Sequence, residues 1–193
     1  GLYSIYNSLK NPKSTTISFE PSSSNIRILT RNISINNLEK KIKLVPIPLT
    51  NKENIFQEMN EGQFIEGGAL NSFGEKFDFE GKDLKPIMKY NLFGTTMNYF
   101  IKNSILEIPD YIKIDVDGIE HLILQGGDKF LNNKKVKSLS IEINENFKEQ
   151  FDTILNLMKK YQFKLLHKKH NDDNYTEGDK FSKSYNYIFT KQL

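Results

Sequence analysis

The run IKIDVDGIEHLILQGG, residues 112–127, sets three carboxyl side chains, Asp115, Asp117 and Glu120, directly after a stretch rich in β-branched residues. Charge at such a place must be paired or wet, because an isolated ionised carboxylate is costly to bury. Asp117 and Glu120 have the spacing of a capping box, with Asp117 receiving amides of a first helical turn and Glu120 reaching back. Negative charge at a helix start also suits the dipole, so a structural role is sufficient for these two. Asp115 lies inside the strand pattern, where it faces a site, serves as a second capping residue or pairs with one of the many lysines. Glu142 poses the same question in SLSIEIN, where Leu139, Ile141 and Ile143 alternate with Ser140 and Glu142. Its polar side faces either solvent or a polar cavity. Glu20 ends another strand-like stretch, just before a run of serines. A carboxylate there can accept both hydroxyls of a ribose, as in dinucleotide-binding folds, or it is an ordinary turn residue. His121 has a pKa suited to proton transfer, but a histidine just after a helix start is more often structural.

These side chains need elements to position them. Leu2, Ile5, Tyr6 and Leu9 are spaced for an amphipathic helix, and residues 14–21 alternate into a strand that Pro21 breaks. Ser22 to Leu38 reads as a second helix with a serine cap and an apolar stripe of Ile26, Leu29 and Ile33. Residues 41–49 are strand-like, but Pro46 and Pro48 put the far end outside a central ladder. Residues 50–94 are the least legible, with a weak strand signal at 76–79. A short helix is expected around 97–105. Regular order then resumes: strand 111–116, helix 119–131, strand 136–143, helix 147–161, and closing strands 163–167 and 185–190 joined by a polar loop. This order predicts an α/β sandwich with a largely parallel sheet and ligands beyond the carboxyl ends of its strands. Glu20, Pro48, Asp115 and Glu142 stand at those ends.

Composition narrows the classes. A chain of 193 residues with 37% hydrophobic and 12% aromatic content suits one globular domain. It has no cysteine, which excludes disulfides, thiolate metal sites and thiol nucleophiles and fits a reducing, cytoplasmic setting. No apolar run could span a bilayer. The net charge is +3 with Arg27 and Arg31 as the only arginines, which argues against nucleic acid as a partner. Heavy use of lysine, asparagine and isoleucine fits an AT-rich, bacterial genome.

Three segments together resemble the FkbM family of class I S-adenosylmethionine-dependent methyltransferases: GLYSIY at 1–6, SFEPSSSNIRILTRNISINN at 18–37, and YIKIDVDGIEHLILQGG at 111–127 with SLSIEIN at 138–144. In the family's acidic run a glutamate stands where this chain has Asp117. The resemblance implies a Rossmann-like sandwich, mostly parallel with an antiparallel strand at its C-terminal end. It implies that Glu20 holds the ribose of S-adenosylmethionine, that Pro21 and Ser22 shape that pocket, and that Ile47 and Pro48 meet the adenine edge. It further implies that Asp115 and Glu142 face an acceptor hydroxyl, either as base or together as ligands of a magnesium ion. The acceptor would be a small molecule or a glycan, with specificity in residues 50–94, where Asn71, Phe73 and Tyr90 are candidates, and in the loop 169–183. Family members carry a strand and a glycine-rich turn before the first helix. Gly1 resembles the last glycine of that turn, so a sheet without its first strand, and weak binding of the methyl donor by these residues alone, are expected. The rival readings are a non-catalytic remnant of the same fold and a nicotinamide dehydrogenase.

Overall fold

The computed structural model describes residues 1–170 and 178–191. In chain order it contains α1 (Leu2–Lys10), β1 (Thr16–Phe19), α2 (Ser23–Ile35), β2 (Ile42–Val45), β3 (Ile55–Glu61), β4 (Asn71–Phe73), β5 (Met88–Gly94), α3 (Met97–Lys102), β6 (Tyr111–Ile114), α4 (Glu120–Gln125), α5 (Asp128–Leu131), β7 (Ser138–Asn144), α6 (Lys148–Lys160), β8 (Phe163–Lys169) and β9 (Ser184–Lys191). The α/β class is as the periodicity predicts, but the strands form three sheets rather than one mostly parallel sheet. β1 and β2 form a parallel pair, β4-β3-β5 an antiparallel sheet, and β6-β7-β9-β8 a mixed sheet. Among the strands of the described residues, β1–β2 and β6–β7 run parallel, whereas β3–β4, β3–β5, β7–β9 and β8–β9 are antiparallel. The departure from the expected parallel sheet has two parts: residues 50–94, whose polar and glycine-rich sequence gives little periodic signal, form a second, antiparallel sheet, and the β1–β2 pair is not hydrogen-bonded to the β6–β9 sheet. The weak signal at 76–79 contributes an isolated Phe77–Asp83 bridge and no strand.

Local chemistry accounts for the element ends. Ser22 caps α2 by accepting from the Asn25 amide at 3.3 Å, and Thr96 caps α3 by accepting from the Tyr99 amide at 3.0 Å. The helix expected over 119–131 is broken at Gly126–Gly127, where a side chain on Gly126 would stand 2.2 Å from the Thr50 carbonyl oxygen. That close approach of backbone to backbone needs glycine. α1 forms as predicted, yet Leu2, Tyr6 and Leu9 of its apolar stripe lie exposed, while Ser8 is buried. The helix docks through Ile5, which packs against the smaller core, and through polar contacts: Ser4 to Ser18, and Asn7 and Ser8 to Thr16.

The main core joins the β6–β9 sheet to α4, α5 and α6 through Leu124, Leu131, Ile141, Ile143 and Ile154, and extends to Met59 and Phe73 of the antiparallel sheet. A smaller core of Leu29, Ile33, Leu38 and Ile42 ties α2 to β2. No helix among the described residues is long and apolar enough to cross a membrane.

Candidate active site

The pairing of β6 with β7 brings the two catalytic candidates together. Ile114 lies opposite Ile141 in a parallel register, so the next residues, Asp115 and Glu142, fall abreast just beyond the end of β6. Their carboxyl groups are hydrogen-bonded to each other. They line a cavity of about 210 Å³ whose wall also includes Asp117, Leu70, Phe181 and Ser184. Burial, then the Asp115 charge and the hydrogen bond to it, push the Glu142 carboxyl up to about 8. Lys113 precedes Asp115 by two residues on the same strand face. Its Nζ lies 2.8 Å from Asp115 Oδ2 and donates to Asn186 Oδ1 of β9. Of the two readings left open for Glu142, the cavity is the one realised; for Asp115, the lysine pair and the cavity wall occur together.

The turn after β6 is held from beneath. Glu120 is fully buried and accepts from the amides of Val116 at 3.0 Å and Gly118 at 3.1 Å, and from Gln150 Nε2 at 2.6 Å. These N–H donors favour its charged form, but burial outweighs them and carries the carboxyl up to about 7. Gly118 has φ +123°, and a side chain there would meet the Asp78 carbonyl oxygen at 2.8 Å. The capping box is therefore not formed as expected. α4 begins at Glu120 after Ile119, and Asp117, at φ +59°, turns away from the helix. Asp117 Oδ2 instead accepts from the amides of Leu70 at 2.7 Å and Asn71 at 3.3 Å. It thus fastens residues 62–70, the loop between β3 and β4, over the cavity. Asn25 of α2 grips the same loop, donating to the Gly68 carbonyl at 2.9 Å and accepting from the Gly67 amide at 2.8 Å. Burial raises the Asp117 carboxyl, opposed by those two amides.

Glu20 follows β1, where its Oε1 accepts from the Ser22 amide at 3.0 Å. Burial raises its carboxyl, the Ser22 amide lowers it, and it lies within electrostatic reach of Asp117. Asp115, Asp117 and Glu142 thus line one cavity, with Glu20 outside its wall but within electrostatic reach of Asp117. Ser22 is fully buried and occupied as a helix cap, and Pro21 is half-buried beside it. Gly1 heads α1, with a Cβ position only 2.1 Å from Leu29 Cδ1. Ile47 packs against the main core. Pro48 is buried, and its carbonyl accepts from the Thr95 amide at 3.2 Å. Of the specificity candidates, Asn71 sits on Asp117, Phe73 is in the core, and Tyr90 donates to Glu61 and accepts from the Ser23 amide. Part of the loop expected to set specificity, residues 171–177, lies outside the described residues.

The magnesium reading does not fit this donor set. Among the described residues no three histidine or acidic side chains are grouped to hold a metal ion. One carboxyl of the Asp115–Glu142 pair retains its proton near neutrality, and the Lys113 ammonium occupies the cation's place beside Asp115. His121, the rival base, is buried against Phe77 and Phe147 outside the cavity wall, and burial lowers its pKa.

Sequence reasoning missed Lys113, Gln150 and Glu61. The lysine's position two residues before Asp115 was a signal for the first. Gln150 looked like a surface residue of α6, and the burial of Glu61 depends on a sheet that the sequence concealed.

Comparison with known proteins agrees with this frame. No curated protein matches the chain. In three dimensions it is similar to the crystal structure of methyltransferase FkbM from Methylobacillus flagellatus KT, with a TM-score of 0.59 at 14% identity. The likeness covers 97% of this chain but 41% of that one, so the chain spans less than half the length of its structural neighbour. Residues 2–165 match the family described as the methyltransferase FkbM domain, and the chain belongs to that family.

Proposed function

We propose that the protein transfers a methyl group from S-adenosylmethionine to a hydroxyl of a sugar-bearing acceptor, with Glu142 as the general base. The observation that carries this reading is the Asp115–Glu142 pair in the cavity wall, because a sugar hydroxyl is a poor nucleophile and needs its proton removed. A base with a value of about 8 is strong enough to accept that proton and is partly ionised at neutral pH. Asp115 holds and orients Glu142 through their shared hydrogen bond. As the hydroxyl oxygen attacks the methyl carbon, its proton passes to Glu142 and from there to solvent.

The acceptor-rich lining fits the methyl donor. A ligand bearing ribose hydroxyls, an ammonium and a positive sulfur brings donors and cations to carboxylates that otherwise repel one another. When bound, it supplies a methyl group on a positively charged sulfur. Glu20 would take the ribose hydroxyls, with Gly1 and Pro21 bordering that end and Ile47 the adenine side. The loop 62–70, pinned on Asp117 and Asn25, helps exclude water from the reacting atoms. The cysteine-free composition suits work in the cytoplasm.

Titration calorimetry with S-adenosylhomocysteine and with NAD tests the donor: binding of the first alone is expected, weak as the family resemblance implies for these residues, and binding of NAD alone overturns the reading. Labelled methyl transfer to free sugars and glycolipid headgroups, with and without the candidate hydroxyl, tests the acceptor. Donor binding without transfer to any hydroxyl would favour a binding role.

A further inference from the structure

We propose that Lys113 is a positioning residue of this site, whose ammonium clamps Asp115 beside Glu142 and keeps the pair able to accept a proton at working pH. The inference rests on the reading of Glu142 as base.

Three contacts fix the lysine. Its Nζ lies 2.8 Å from Asp115 Oδ2, it donates to Asn186 Oδ1, and it stands 5.0 Å from the ring of Tyr3 on α1. A lysine stem is flexible, and contacts from three different elements remove most of that freedom. The register explains the arrangement: Lys113 opposes Ser140 and Asn186 opposes Glu142, so lysine, aspartate, glutamate and asparagine share one face of the sheet. This is no ordinary surface ion pair. The Lys113 and Asp115 side chains are 22% and 27% exposed, against 78% and 51% for Lys148 and Asp152, so water screens the former much less.

The charges around Glu142 make the lysine consequential. Asp115 from the end of β6 and Glu120 from α4 both raise its proton affinity, and burial, then the charges of Asp115 and Glu142, raise the pKa of the Tyr3 hydroxyl on α1. Lys113 is the cation that opposes them. Without it Glu142 would keep its proton to higher pH, and Asp115 would lose the contact that fixes its rotamer.

The test is the pH dependence of kcat/KM for methyl transfer in wild type, Lys113→Met, Lys113→Arg and Glu142→Gln. The wild-type rate should rise through about pH 8. Lys113→Met should move that rise alkaline by about one pH unit, cutting the rate near neutrality by roughly tenfold. Lys113→Arg should restore the wild-type profile, which a merely structural loss would not allow. Carbon-13 NMR of the Glu142 carboxyl, identified by its absence in Glu142→Gln, should show the same displacement without turnover. An unmoved titration in Lys113→Met overturns the role of Lys113 while leaving Glu142 as base. A wild-type rate and profile in Glu142→Gln instead overturns the reading of Glu142. Should Lys113→Met fail to fold, Asn186→Ala, which loosens the ammonium but keeps its charge, should give a smaller shift in the same direction, and no shift there counts against the proposal.

Discussion

At the scale of single residues, the molecule places two carboxyl groups, Glu120 and Glu142, where their protonation matters near neutral pH. They differ in what surrounds them. Glu142 faces a cavity and a second carboxyl group, which suits chemistry, whereas Glu120 faces backbone amides and Gln150, which suits architecture. Glu142→Gln should therefore reduce methyl transfer by about 10²–10⁴-fold, the usual contribution of a general base, and remove the rise in rate near pH 8 while leaving the fold intact. Glu120 should report in stability instead. Its folded value of about 7 exceeds the ordinary 4.5, so the folded state holds a proton that the unfolded chain has released. That contribution is complete below about pH 4.5 and is lost as pH rises through 7. Urea denaturation midpoints measured from pH 4 to pH 9 should show a decline whose steep part spans this window.

At the scale of elements, the site is a strand end, a turn and an overlying loop, each fixed by something outside itself. The turn at Asp117–Gly118 uses two left-handed residues and is braced by Glu120 and Gln150. The loop 62–70 has few apolar contacts of its own: Phe64 and Ile65 are half exposed, and Asp117 and Asn25 supply its anchors. Asp117→Ala should leave the amides of Leu70 and Asn71, where the loop enters β4, without their acceptor, at a local cost of about 1–3 kcal/mol. Hydrogen exchange at Leu70 and Asn71 should then accelerate, with little change at Ile141 or Ile143. Equal acceleration in both places would mean that the loop and the core open as one unit.

At the scale of the whole molecule, stability is unevenly distributed. The β6–β9 sheet carries the large core, whereas α2 and β2 share a smaller one of four buried residues and the β1–β2 pair meets the large core only through the partly buried Phe19 and Val45. Ile141, fully buried at the centre of the large core, should cost about 2–5 kcal/mol on truncation to alanine, read as a lower denaturation midpoint. In the wild-type protein, amides of the β1–β2 pair should exchange faster than those of β7, because fewer buried apolar contacts oppose their local opening. The cavity itself is walled by the end of β6, by β7 and β9, and by the loop before β4, so its catalytic candidates sit on the stronger part.

The sequence by itself determined the local elements and the residues worth watching. Period 3.6 in α2 and α6, alternation in β6 and β7, the serine cap at Ser22 and the antiparallel closing pair were all legible, because each depends on near neighbours. So was the FkbM resemblance, carried by short motifs at strand ends. Tertiary structure decided the rest. That Asp115 and Glu142 stand abreast follows from the β6–β7 register, a pairing across many residues that no local pattern encodes. That Asp117 fastens a loop instead of capping a helix follows from the antiparallel sheet of residues 55–94, whose polar strands gave little periodic signal. The proton affinity of Glu142 arises from burial and from neighbouring charges, and such quantities exist only once distant segments have been brought together.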